Sequence, residues 1–230
     1  MNNVKYNDEY IQNITSALEE ITNSENAVDM ESYMRNKFEF YGVQSTPRRK
    51  ATRKFLKKEQ RPSYKNLKPV IKKLWLLPQR EFQYFAMELL LKYKKEYDKK
   101  VIDLFVYMIT HKSWWDTVDM IAKKMVGEYF KLFPQKRDKF IREWLDSNNI
   151  WLQRTTLLFQ LSYKEKTDVD LLFCLIKKLS HINEFFIKKA IGWSLREYSK
   201  IEPDIVKNFI ATNDLSPLST REGMKIINKN

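Results

Sequence analysis

Apolar residues recur at three- and four-residue spacing along almost the whole chain, and that period confines it to a helical fold. In 9–22, Tyr10, Ile14, Leu18 and Ile21 share one face. In 81–93, Phe82, Phe85, Leu89 and Tyr93 do the same, and in 168–179 Val169, Leu172, Leu175, Ile176 and Leu179 repeat the pattern. No Asn-Gly or Asp-Gly dipeptide marks a hairpin, and no sustained period-two alternation marks a strand. Thr46-Pro47 reads as an N-cap followed by the first helical residue. Pro78, Pro134, Pro203 and Pro217 each fall where one helical pattern stops or the next begins. The spacing predicts about a dozen helices of roughly 10–17 residues. Helix pairs open near Gln79, Ser113, Asn149 and Asn183, at intervals of 34, 36 and 34 residues, close to the period of two-helix repeats. Each pair is expected to have a long first helix and a shorter, more basic second one. Stacked pairs of this kind make a curved solenoid with a concave side, which fits a rod-shaped partner. A chain of 230 residues buries roughly 70% of its unfolded surface and needs no covalent or metal staple.

Charge narrows the partner. The chain has 42 Lys and Arg against 29 Asp and Glu, a formal charge of +13. The excess is concentrated: residues 48–73 hold twelve cations, from Arg48 and Arg49 to Lys72 and Lys73, against the single acid Glu59. Residues 1–30 are acidic, with Lys5 against Asp8, Glu9, Glu19, Glu20, Glu25 and Asp29. A basic block of this density suits phosphates, and nucleic acid is expected over an anionic membrane because the block lacks a broad apolar face. Several other classes are excluded. Cys174 alone cannot build a disulfide framework or a Cys-rich zinc site, and His111 and His181 are too few for a His-based metal site. No GxGxxG or GxxxxGK[ST] loop occurs. No apolar run approaches the ~18 residues of a bilayer span, and the first residues are polar. The expectation is therefore a cytoplasmic monomer that uses no cofactor and no metal and does not bind membranes.

The densest chemistry is Ser113-Trp114-Trp115-Asp116-Thr117-Val118-Asp119. Ser113 and Asp116 read as a capping box that starts a helix. On it, Trp114, Val118, Ile121 and Met125 form the expected buried stripe. Trp115 and Asp119, four residues apart, share a different face. On the residues alone, Asp119 is equally an ion-pair partner of a neighbouring helix and a reactive carboxylate. Arg154 and Trp193 lie on the first helices of later pairs. Taken singly they read as a surface ion-pair residue and a core residue. In a solenoid, however, residues of successive first helices line one wall. Gly192 inside a helix costs about 1 kcal/mol relative to Ala, which implies close approach by a helix or a ligand.

The segments SWWDTVD (113–119), NIWLQR (149–154) and FFIKKAIGWSLREY (185–198), with Tyr33-Met34-Arg35-Asn36 and Thr46-Pro47-Arg48-Arg49, resemble the DNA alkylation repair proteins, specifically the AlkD-type DNA glycosylases. The resemblance runs from about residue 30 to residue 227. It implies an all-α, single-domain right-handed superhelix of stacked antiparallel helix pairs, a HEAT-like repeat solenoid over 1–230, with N-terminal helices in 7–77 and clearer repeats in 79–228. It implies release of cationic alkylpurines, such as 3-methyladenine and 7-methylguanine, from double-stranded DNA, by a protein associated with the nucleoid when bound. By the same resemblance Trp115, Asp119, Arg154 and Trp193 occupy the active-site positions and Tyr33 a further DNA-facing one. A cationic purine is already a good leaving group, so one carboxylate, Asp119, suffices to stabilise the oxocarbenium-like sugar or orient a water. Trp115 and Trp193 would hold the cation by their ring faces. Arg154 would take a backbone phosphate in bidentate fashion. The block with Arg48 and Arg49, extended by Lys188 and Lys189, would grip DNA without regard to sequence. Whether the base is flipped out stays open. The competing readings are a non-catalytic DNA- or RNA-binding repeat protein and a protein-interaction solenoid.

Overall fold

A computed structural model describes residues 3–229. The described residues are helical and contain no β-strand, with one isolated bridge between Glu39 and Gln79. The chain divides into two compact units, Met1–Asp98 and Lys99–Asn230.

The first unit contains α1 (Asn3–Glu19), α2 (Ser24–Tyr33), α3 (Ser45–Thr52), α4 (Tyr64–Leu76) and α5 (Arg80–Leu91). Tyr10, Ile14 and Leu18 are the buried stripe of α1, and the Tyr10 hydroxyl donates to the Phe55 carbonyl at 2.7 Å. Ile21 departs from the expected face: α1 ends at Glu19, so Ile21 leaves the helical phase and is exposed. The predicted start at Thr46-Pro47 also moves. Gln44 is the N-cap and Pro47 sits third in α3, a position Pro tolerates because the first turn's N–H groups have no intrahelical acceptor. Helices α4 and α5 turn about Pro78. There the buried Gln83 Nε2 is shared among the carbonyls of Leu74, Trp75 and Leu77, at 3.2, 3.0 and 3.0 Å. It satisfies acceptors that the end of α4 would otherwise leave open. Phe82, Phe85, Leu89 and Tyr93 are buried, as the period requires.

The second unit contains α6 (Val101–Thr110), α7 (Trp115–Ile121), α8 (Gly127–Leu132), α9 (Pro134–Asp146), α10 (Ile150–Leu158), α11 (Val169–Leu179), α12 (Phe185–Tyr198), α13 (Pro203–Thr212) and α14 (Pro217–Gly223). A π-helical turn, Ala122–Val126, joins α7 to α8 without a break. Helices start beside Gln79, after Ser113 and Asn149, and at Phe185, where the repeat spacing places them. Proline opens α9, α13 and α14. One pair departs from the expected lengths: α10 has 9 residues and its successor α11 has 11. The chain turns early because Gln160 pairs both ways with the Asp168 backbone, at 2.8 and 3.1 Å, and holds 160–168 as a closed turn.

Helix α12 packs on α10 to one side and on α14 to the other. The contact with α14 depends on Gly192: a Cβ there would lie 2.5 Å from Glu222 Cβ and 2.9 Å from the Ser219 carbonyl oxygen. Ser219 Oγ donates to the Lys188 carbonyl at 3.0 Å across the same seam. In an exposed helix, Gly→Ala adds about 1 kcal/mol of stability. Here overpacking against backbone, typically about 1–3 kcal/mol, outweighs that gain. Gly192→Ala should therefore lower the unfolding free energy by up to about 2 kcal/mol, read as a lower urea midpoint with unchanged slope.

Candidate active site

The start of α7 is built by a short backbone device. Lys112 takes a left-handed conformation (φ 50°) and Trp114 an extended one (φ −158°), so the chain reverses and re-enters a helix at Trp115. The expected capping box is absent. Ser113 Oγ instead donates back to the Ile109 carbonyl at 2.6 Å and closes α6, while the N-cap residue is Trp114 with no side-chain cap. Trp114, Val118, Ile121 and Met125 are buried, as the helical stripe demands.

The Trp114 ring meets Trp151, the second residue of α10, at 5.7 Å and Phe186, the second residue of α12, at 5.0 Å. Trp151 and Phe186 are 4.9 Å apart. Three rings thus tie together the starts of α7, α10 and α12. Asn149 fixes the α10 start, its Oδ1 accepting from the N–H groups of Trp151 and Leu152 at 3.0 and 3.2 Å.

Beside these rings Asp119 meets Arg154. Arg154 Nε donates to Asp119 Oδ1 at 2.7 Å and Nη2 to Oδ2 at 2.8 Å, a bidentate pair. The remaining nitrogen, Nη1, donates to the Phe186 carbonyl. The Asp119 side chain is 13% exposed and that of Arg154 5%. Burial pushes the Asp119 carboxyl above its ordinary range; the Arg154 guanidinium opposes that rise, and nearby Asp116 adds to it.

Of the sequence-predicted residues, Asp119 and Arg154 are in direct contact. Trp115 is part-exposed one helical turn before Asp119. Trp193 is part-exposed two turns beyond Phe186, on the same face of α12. Arg154 faces Asp119 and the α12 backbone: each of its three nitrogens donates to a protein acceptor, which uses three of its five N–H groups. Arg48 departs from the expected surface position. It is 4% exposed, and both terminal nitrogens bind Glu88 at 3.0 Å, so it is an internal ion pair rather than a surface grip. Arg49 also binds Glu88, at 2.9 Å, but stays exposed. Tyr33 is 70% exposed at the end of α2. These three residues belong to the first unit and the Asp119 cluster to the second. In the basic segment, Lys50, Arg53, Lys57, Lys58, Lys65 and Lys68 are exposed, whereas Lys73 binds Asp8 at 2.5 Å.

Sequence reasoning missed Trp151 and Phe186. Trp151 lies three residues before Arg154 on the same helix, a spacing that could have flagged it; the Phe186 carbonyl has no sequence signal. Among the described residues no three His, Cys, Asp or Glu side chains gather where a metal ion could be held. No described helix is long and apolar enough to cross a membrane.

An acid–arginine pair beside rings from the starts of α7, α10 and α12, in an all-α chain with a concentrated basic segment, describes an all-helical protein with one candidate carboxylate site. The sequence comparison makes it specific: the profile of the DNA alkylation repair enzyme family matches residues 14–227, and the chain belongs to that family. A predicted DNA alkylation repair enzyme from Enterococcus faecalis is similar in structure, at TM-score 0.83 and 34% identity over 91% of this chain and 98% of the other. No curated protein matches the chain.

A buried charge that loses its partner is costly. Arg154→Met, which keeps the volume, strands the Asp119 carboxylate and should lower the unfolding free energy by about 3–5 kcal/mol. Denaturant unfolding near neutral pH measures it.

Proposed function

We propose that this protein is a monofunctional DNA glycosylase that releases cationic N-alkylated purines from double-stranded DNA by hydrolysing the N-glycosidic bond. The reading rests above all on the Asp119–Arg154 pair. The bidentate contact occupies one lone-pair direction on each Asp119 oxygen, and a carboxylate has about four such directions in all. The others remain for the small exposed part of the side chain. A carboxylate so placed stabilises positive charge growing on the deoxyribose C1′ as the base departs. It can also orient a water and take its proton as the water attacks C1′. The base leaves as a neutral purine because it carried the positive charge beforehand, so no general acid is required. Arg154 has a second part: its charge behind the carboxylate favours the ionised form against the pull of burial.

The aromatic surroundings suit the same substrate. Trp115 and Trp193 offer part-exposed rings, and a ring face contributes about 0.5–2 kcal/mol to a cation, favouring an alkylated purine over a neutral one. Sequence-independent affinity would come from the exposed cations of the basic segment.

The test is release of 7-methylguanine from methylated duplex DNA. Asp119→Asn should reduce single-turnover release by about 10²–10³-fold while duplex binding is kept. No release by the parent protein, or equal release by the variant, would overturn the assignment and favour a non-catalytic binder. The pH profile gives a second check. Activity needs the carboxylate and falls as pH drops through its pKa. Arg154→Lys loses the bidentate fork and with it part of the force that keeps the carboxyl ionised. Its acid limb should therefore lie at higher pH than that of the parent.

A further inference from the structure

The tight seam between α12 and α14 creates a second charged cluster, separate from the Asp119–Arg154 pair. Gly192 lets α14 approach so closely that Glu222 lies directly against α12. The Glu222 side chain is only 7% exposed, and three cations converge on its carboxylate: Lys189 at 3.1 Å, Arg196 at 2.8 Å and Lys225 at 2.8 Å. All three cations are part-exposed. One carboxylate needs one cation; this one has three, leaving the cluster with a net charge of +2. Its hydrogen bonds use one donor from each cation, whereas an ammonium has three and a guanidinium five. The remaining donors are available to an acceptor outside.

The cluster is also placed in register with the site. On α12, Lys189 lies four residues before Trp193 and Arg196 three residues after it, so both share the helix face of that ring. Lys225 adds a third cation from the chain just beyond α14. An aromatic plate flanked by cations along one helix is how a protein holds a nucleic-acid strand by ring and phosphate together. The buried carboxylate fixes the long side chains in advance, so less freedom is lost when an anion arrives.

We propose that Lys189, Arg196 and Lys225, organised by Glu222, form a phosphate-binding site that holds the DNA backbone beside Trp193. The inference rests on the DNA-glycosylase reading for its choice of ligand. Glu222 is a positioning residue: it touches no substrate and sets where the three cations stand. Its carboxyl is pulled down to about 2, first by the Lys225 contact, so it stays an anion at every working pH.

The experiment is fluorescence anisotropy of the full chain with undamaged duplex DNA over a series of salt concentrations. Lys189→Gln, Arg196→Gln and Lys225→Gln should each weaken binding and reduce the slope of log K against log[salt] by about one. Lys207→Gln removes the same charge from an exposed position on α13 and should leave the slope unchanged. Glu222→Gln separates a phosphate site from a mere fastening of α14. It removes an anion and raises the cluster's charge from +2 to +3, so it should steepen the slope even as it loosens the cations and lowers the melting temperature. If the three variants keep the parent slope, or if Glu222→Gln leaves the slope unchanged or shallower, the site is wrong. The outcome is independent of catalysis. Altered slopes with no base release by the parent would sink the glycosylase reading and leave the phosphate site standing. Base release with unaltered slopes would do the reverse.

Discussion

The second unit is arranged around the cost of placing Asp119 and Arg154 out of water. Desolvating two such charges costs several kcal/mol per ion, and their attraction returns it only with good geometry and with the remaining donors satisfied. The geometry is good: two parallel hydrogen bonds join the pair, and the Phe186 carbonyl accepts from the third nitrogen. Apolar residues of similar volume often serve stability as well or better. Stability is thus a weak reason for a carboxylate here, which accords with the catalytic role proposed for it.

Delivering that geometry requires three helices to start at matched heights. Trp114, Trp151 and Phe186 lie at the beginnings of α7, α10 and α12, and their rings touch. The 36- and 34-residue steps between Ser113, Asn149 and Asn183 therefore do more than repeat a fold. They bring Asp119 one turn into its helix level with Arg154 one turn into the next, with the Phe186 backbone closing the third side. The pair is largely withdrawn from water, at 5% and 13% side-chain exposure, and a drier surrounding strengthens the field of the carboxylate.

What the amino-acid order made legible follows from the range of each interaction. Helical stripes such as Phe82, Phe85, Leu89 and Tyr93 are local, so periodicity read them correctly, and the proline punctuation of α9, α13 and α14 is local too. Asp119 was legible as a carboxylate off the core stripe, but its partner was not, because the pair spans 35 positions and nothing in the spacing selects Arg154. The same blindness misassigned Arg48. A cation-rich run reads as a solvated face, yet Glu88, 40 positions away, draws Arg48 inside and leaves its neighbour Arg49 exposed. The capping box failed for a related reason: a serine between two helices can close the first as readily as open the second, and Ser113 does the former.

Charge counting hides how the acids are used, and the ratio of cations to each buried or half-buried carboxylate makes the difference. Asp119 has one partner, Arg154. The pair is neutral and, on the proposed reading, keeps an anion available where positive charge would develop. Glu88 has two partners, Arg48 and Arg49, and leaves a single positive charge at the edge of the basic segment. Glu222 has three and converts an acidic residue into the anchor of a doubly positive patch. A net charge of +13 would attract DNA even if smeared over the surface. Carboxylates that hold more cations than they can neutralise do something stronger, because they decide which way the surplus points.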